Sequence, residues 1–279
     1  MILSPQQKDL ALQQVSDFLI RTPRFREIIA SALRQAFDEV IDGPRTGRYR
    51  IEQLEKTEKT YIGTKVEIVL RNELQLHRGA LLDNLILGYE VDTKFSLSGN
   101  WMIPSEAIDH LCILVMASDN SQQFSVGLLR MSQDFLTQGS NKDGKKSVSA
   151  FGKSQIHWLI NGAPMIPNFL LSLQDEVREQ IMSAGSGVKR VAELFRTVTF
   201  KLIPRSAIEQ VAQQKDPLRR ARQMKAWLAS EGLEVLCATY ANDREKFISY
   251  GFRVFRDDDW LCIKHPVEHP HDTLVSGPT

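Results

Sequence analysis

Apolar residues recur at helical spacing over residues 6–20 (Leu10, Val15, Phe18, Leu19) and 24–41 (Phe25, Ile28, Ile29, Leu33, Phe37, Val40), which predicts two opening helices, each burying one stripe. Asp42-Gly43-Pro44 stops the second. A third helix is expected over 63–76, with Val66, Val69, Leu70 and Leu74 inward and Glu67 beside them on the rim. The period then changes to two. In LDNLILGYEVDTKFSLSGNW, residues 82–101, strand alternation puts Asp92 and Lys94 on one face and Val91, Thr93 and Phe95 on the other. Gly88 is where the run Leu85-Ile86-Leu87 turns and returns, a short hairpin that brings Asp83 back beside the far strand. The continuous apolar run His110–Ala117, and then Phe124–Met131, have the length and composition of buried strands.

The segment GSNKDGKKSVSAFGKSQ, 139–155, has no apolar period and reads as a loop before a domain boundary. Beyond it, Val191, Leu194, Phe195 and Val198 mark one helix and Ile208, Val211 and Ala212 another. Asp216-Pro217 is an N-cap with proline at the first helical position. In the helix it opens, Leu218, Ala221, Met224 and Leu228 face one way and Arg219, Arg222 and Lys225 line the next stripe, up to Gly232. Leu233–Thr239, then FRVF (252–255) and WLCIK (260–264), predict strands closing in a small hairpin. Helix, turn, basic helix and hairpin outline a winged helix-turn-helix. The expected division is a mixed α/β domain over 1–150, a linker over 151–165, a winged-helix DNA-binding domain over 166–266 and a disordered tail over 267–279. That tail is the expected reading of HPVEHPHD, in preference to a transition-metal site at His265, His269 and His271.

Composition changes this picture only locally. With 42% hydrophobic residues and 25% charged, the chain is ordinary for a globular protein. No apolar run reaches the roughly 18 residues of a membrane span, and the start turns polar too early for a signal peptide, so a cytoplasmic protein is expected. The three cysteines, Cys112, Cys237 and Cys262, lie far apart and read as buried thiols. Net charge is only +1, yet Gly185–Lys225 carries ten Lys and Arg against three acids. A local basic patch on an otherwise acidic chain is the footprint of phosphate binding. Arg205, Arg219, Arg220, Arg222 and Lys225 within it are candidates, as are Arg45 and Arg48 of the loop RTGRYR, whose alternative role is counter-charge to a helix C-terminus.

The acidic cluster suggests the chemistry. Hydrolysis of a phosphodiester needs a positioned water, neutralised phosphoryl oxygens and a stabilised leaving oxygen. Bare carboxylates repel such a substrate; carboxylates around a hard divalent ion reverse the local sign, and a nearby lysine can hold the attacking water. Glu67 completes the set if its helix packs under the hairpin. Asp-x-Lys alone is a common solvated pattern, and Glu90 shares the strand face with Asp92, so spacing leaves open which acid binds metal.

Two stretches, DGPRTGRYRIEQLEKTEKTYIGTKVEI and EVDTKFSLSGNWMIPSEAIDHLCILVMASD, closely resemble the NaeI-type restriction endonucleases, a branch of the PD-(D/E)xK nucleases related to MutH. The likeness continues more weakly through VREQIMSAGSGVKRVAELFRTVTFKLIPRSAIEQVAQQ. It implies a PD-(D/E)xK mixed sheet with flanking helices followed by a CAP-like winged-helix domain. It assigns Glu67, Asp83 and Asp92 to a divalent metal, Mg2+, and Lys94 to the attacking water, and gives Glu90 no required role. It further implies a homodimer that binds two copies of its double-stranded DNA site, one cut and one as effector. Where a ligase would hold its nucleotide-accepting lysine stands Val40, so no nucleotide cofactor is expected. The resulting expectation is a type II restriction endonuclease. The alternatives are a MutH-like strand nickase and a winged-helix regulator whose acidic cluster is structural.

Overall fold

The computed structural model describes residues 9–214 and 216–265; the tail expected over 267–279, with His269 and His271, lies outside the described residues. The chain divides into two compact units, one holding the residues up to Ile41 together with Tyr49–Asn168, the other Asp42–Arg48 together with Phe169 onward.

The first unit opens on α1 (Leu10–Arg21), capped where the Asp9 carboxylate accepts the Leu12 amide, and α2 (Phe25–Ile41). The expected stop holds: Asp42 takes a left-handed conformation and starts the one-turn α3 (Gly43–Thr46), which belongs to the second unit. Then come α4 (Lys56–Glu73), β1 (His77–Arg78), β2 (Asn84–Ile86), β3 (Tyr89–Ser96), β4 (Met102–Ile103), β5 (Leu111–Ser118), β6 (Gln123–Arg130), β7 (Leu136–Ser140), β8 (Lys146–Val148), α5 (Ala150–Ser154) and β9 (His157–Pro164). Six strands form one mixed sheet in the order β1-β2-β3-β5-β6-β9, in which β3 and β5 are parallel and the other pairs antiparallel. A mixed α/β layer is thus present as expected.

Alternation along the strands gives the sheet two different faces. Val91, Ile113, Val115 and Val126 join the buried stripes of α1, α2 and α4 in one core. Cys112, Leu114 and Leu129 point the other way, against Trp101 and against Ile103, Leu136 and Val148 of a three-stranded sheet ordered β4-β8-β7.

Residues 151–165, expected as a linker, are instead part of the first unit: α5 is followed by β9, which pairs with β6 at the sheet edge. Bulges in that pairing break the two-residue alternation, so the strand left no periodic signal. The second correction is within 139–155, where β7 and β8 form a hairpin in place of a loop.

In the second unit, α6 (Asp175–Ser183), α7 (Gly187–Thr197), β10 (Leu202–Ile203), α8 (Arg205–Ala212), α9 (Pro217–Ala229), β11 (Leu233–Cys237), α10 (Ala241–Ser249) and β12 (Trp260–Lys264) follow one another. The strands form a three-stranded antiparallel sheet ordered β10-β12-β11. The Asp216 carboxylate caps α9 through the Arg219 amide, as the sequence predicts. The expected hairpin of FRVF with WLCIK is not formed: residues 252–255 are irregular, and β12 pairs with β11 and β10 instead. Three cysteines, Cys112, Cys237 and Cys262, are free and buried.

One buried charge pair ties α2 to the sheet. Arg34 donates to Asp119 at 2.6 Å and pairs with Asp38 at 2.8 Å, with the Arg34 and Asp119 side chains only 8% and 5% exposed. Removing one partner strands the other charge away from water, which costs about 3–5 kcal/mol. Arg34→Met is therefore expected to lower unfolding free energy by about that amount in a denaturant titration, and a loss below about 1 kcal/mol would show the pair to be dispensable.

Candidate active site

β2 and β3 form the hairpin that carries the cluster. Ile86 pairs with Tyr89 across a two-residue turn, Leu87-Gly88, in which both residues have positive φ (52° and 84°). Gly88 adopts this freely and Leu87 does so at a cost, but the pairing matches the twist of the flanking strands. The register places Asn84 opposite Val91, and the buried Asn84 amide donates to the Val91 carbonyl and the Thr93 hydroxyl. Asp83 thereby lies beside β3, where its carboxylate accepts the Thr93 amide at 3.0 Å.

Asp92 and Lys94 do share a face, the one over Cys112 and Leu114, their parallel neighbours on β5. Val91 and Phe95 pack on the opposite core. Glu67 arrives from α4, whose Val66, Val69 and Leu70 are buried. All four predicted residues converge. The Lys94 ammonium is 2.9 Å from Asp92, 3.7 Å from Asp83 and 3.9 Å from Glu67.

Three carboxylates around one ammonium leave the cluster short of positive charge. Burial, followed by the hydrogen bond shared with Asp83, pushes Asp92 up to about 7. Burial likewise lifts Glu67 to about 7, with Asp83 and Asp92 adding to the rise against the opposing pull of Lys94 and Arg71. Burial also acts to raise Asp83, but the Asp92 contact, the Thr93 amide and Lys94 outweigh it and hold this carboxyl below its usual range. For Lys94, burial is overcome by Asp92, Glu67 and Asp83, and the ammonium is held above the usual lysine range. Asp92 Oδ2 is buried and meets no hydrogen-bond donor. With the Asp83 carboxylate beside it, a proton or a cation is needed between the two. Among the described residues, no three His, Cys, Asp or Glu side chains form a ready metal cage, and Lys94 lies within 4 Å of all three acids.

The four residues line an open cleft of about 590 Å³ together with Thr64, Arg71, Arg78, Gly79–Leu82, Pro104 and Glu106. A family model described as Restriction endonuclease NaeI matches residues 14–271. The type II restriction enzyme NaeI of Lentzea aerocolonigenes is 41% identical over 219 residues, covering 74% of this chain and 68% of that protein. The chain belongs to the NaeI restriction endonuclease family. It is accordingly a site-specific deoxyribonuclease, and DNA is its partner. No helix among the described residues is long and apolar enough to cross a membrane.

Three residues around the cluster, Glu90, Gly79 and Arg71, hold its chain in place. Glu90 was open as a metal ligand on spacing alone, but its carboxylate is already engaged: it accepts the amides of Ala80 (2.8 Å), Leu81 (3.2 Å) and Leu82 (2.8 Å). Those amides, Leu82 first, hold Glu90 below the usual carboxylate range. It thus ties down the loop that leads into Asp83. Gly79 belongs to the same arrangement, since a Cβ there would lie 2.3 Å from the Glu90 carboxylate and 2.4 Å from the Leu82 carbonyl. Arg71, one turn beyond Glu67 on α4, donates to the Asp83 carbonyl at 3.2 Å. Its i+4 spacing from Glu67 was the available signal for it.

The predicted DNA-contact residues all fall in the second unit. Arg45 is 85% exposed and pairs with Asp42, and the half-buried Arg48 gives its carbonyl to Gln210. Arg205 pairs with Glu209 at 2.6 Å. On α9, Arg219 and Arg222 are exposed and Arg220 bonds Gln223. Lys225 departs from the expected stripe: it turns inward to Asp243 at 2.6 Å and lies over the rings of Tyr240 and Trp260. The basic run is thinned further where Arg190 donates to the carbonyls of Val211 and Ala212 at the end of α8, and where Arg196 forks onto Glu231.

Glu90→Ala would release three amides beside Asp83. Substitutions that loosen the support of a ligating carboxylate typically cost 10–100-fold in activity. The expected outcome is a cleavage rate lowered by about that factor with DNA affinity retained; an unchanged rate would show that the loop holds Asp83 without Glu90.

Proposed function

We infer that this chain is a type II restriction endonuclease that makes double-strand breaks in DNA at Glu67, Asp83, Asp92 and Lys94, a PD-(D/E)xK-type centre. The observation that carries the assignment is the buried, donor-free Oδ2 of Asp92 beside a second carboxylate. A half-buried acidic cluster with one orphaned oxygen and two carboxyls lifted to about 7 has the charge and the donor set for a hard divalent ion. Glu67, Asp83 and Asp92 are the residues that would hold Mg2+, whose chemistry there is to acidify water and to offset charge on the phosphoryl oxygens. Lys94, held cationic by the same acids, would orient the attacking water and counter the developing anion. Glu90 and Arg71 hold Asp83 in place without touching the reacting atoms.

The second unit supports a winged-helix reading. Its order α7-β10-α8-α9-β11-β12, with β12 between β10 and β11, has the helix and strand sequence of that motif, and α10 is an insertion between the last two strands. In this reading α9 is the recognition helix, presenting Arg219, Arg220 and Arg222 to a duplex. Two DNA sites, one cut and one effector, and a homodimer complete the proposal, on the strength of the family resemblance.

Asp92→Ala or Lys94→Ala is expected to abolish cutting of plasmid DNA in Mg2+ while leaving DNA binding largely intact; continued cleavage by either would remove the site assignment. Ca2+, larger and more loosely coordinated, is expected to support binding without hydrolysis. Replacing Arg219 and Arg222 by Ala should weaken binding to all sequences and flatten the salt dependence by roughly one unit of slope per lost phosphate contact. An unchanged slope would place the duplex on another surface.

A further inference from the structure

The hairpin β7–β8 has features that packing does not account for. Its root is fixed: Leu136 and Val148 are buried with Trp101 and Ile103, the Val148 amide donates to the Trp101 carbonyl, and the Ser149 amide donates to the Phe135 carbonyl. Between Leu136 and Ser140 the register slips, so β7 carries extra residues and the outer part of the hairpin twists away from the root. The tip is pre-shaped as well. The Asn141 side-chain oxygen accepts the backbone amides of Asp143 and Lys145, and the Asn141 backbone amide donates to the Lys145 carbonyl.

This ordered tip carries a net positive charge. Residues 138–145 are all exposed. Lys142 and Lys145 have no ion pair among the described residues, and Lys146, next to them, reaches only the neutral Gln133. Asp143 is the one acid on the tip. An exposed strand edge is ordinarily blunted by lysines. That explanation does not account for a tip held in one shape by side-chain and backbone hydrogen bonds.

Position decides the reading. Met102 and Ile103 of β4 pair with Ser147 and Lys146, and the next residue, Pro104, lines the cleft that holds Glu67, Asp83, Asp92 and Lys94. The hairpin root packs on the sheet face of Cys112 and Leu114, the face that also carries Asp92 and Lys94. From Val148 to the tip, five residues at about 3.4 Å each reach roughly 17 Å, enough to pass along the edge of a B-DNA groove. We propose that residues 136–148 form a clamp that grips the phosphate backbone of the scissile duplex beside the cleft through Lys142, Lys145 and Lys146. This rests on reading the cleft as the cleavage centre. It gives the first unit its own DNA contact, separate from α9.

The test uses the full-length chain, with Lys142 and Lys145 both replaced by Ala and, separately, by Glu; both positions are exposed and outside the core. Cleavage of plasmid DNA in Mg2+ is followed at rising enzyme concentration, and trypsin cutting after Lys142 and Lys145 of the unaltered chain is followed with and without plasmid DNA in Ca2+. The clamp predicts a half-saturating concentration raised by tens of fold in the Ala variant and further in the Glu variant, and a salt slope lower by roughly two units. It also predicts that DNA slows trypsin at these two lysines. Parental half-saturation and slope, with trypsin equally fast in both conditions, would overturn the proposal. If instead Asp92→Ala still cuts, the cleft reading fails, while half-saturation and trypsin protection still report on the hairpin.

Discussion

The first unit depends on the balance between three carboxylates, Asp92 buried and Glu67 and Asp83 half-buried, and one ammonium. Coulomb repulsion among Glu67, Asp83 and Asp92 in a site withdrawn from water would by itself protonate the acids or force them apart. Lys94 opposes this only in part, and it is held cationic by the acids it stabilises. One positive charge does not satisfy three negative ones. Two carboxyls therefore lie near neutral pH and one buried oxygen remains without a donor. Such an arrangement is poorly satisfied as a structural ion pair and well suited to accepting a cation.

The surrounding fold keeps this unfavourable cluster assembled. The Leu87-Gly88 turn fixes the register that brings Asp83 to Thr93, and the buried Asn84 amide locks that register from inside. Glu90 gathers three amides of the loop before Asp83, and Arg71 holds the Asp83 carbonyl from the helix that also supplies Glu67. Beneath lies a core in which α2 is anchored to the sheet through Arg34 and Asp119.

The site was legible in the sequence because its residues obey local periods. Asp92 and Lys94 are two apart on a strand whose other face is apolar, Gly88 marks the turn, and Glu67 flanks a helical apolar stripe. The features that were missed lack such a period. In β9 the bulges opposite β6 erase alternation. In α10 the one buried residue is Phe247, so there was no stripe to find, and the segment before β12 was expected as a strand. Glu90 and Lys225 could not be placed from spacing, because their roles come from partners, the 80–82 amides and Asp243, that only the folded chain brings near. Local pattern specified where the carboxylates lie; which of them was already engaged by backbone amides depended on tertiary hydrogen bonding.

The central claim is that the cluster is a cation site that Lys94 satisfies only in part. The most direct measurement is Mn2+ binding to the DNA-free protein followed by electron paramagnetic resonance, comparing the parent with Asp92→Asn and Lys94→Met. The account predicts bound Mn2+ in the parent, loss of that binding in Asp92→Asn, and binding at least as tight in Lys94→Met, where the competing ammonium is gone. Equal binding in the parent and Asp92→Asn, or its loss in Lys94→Met with the fold intact, would contradict it.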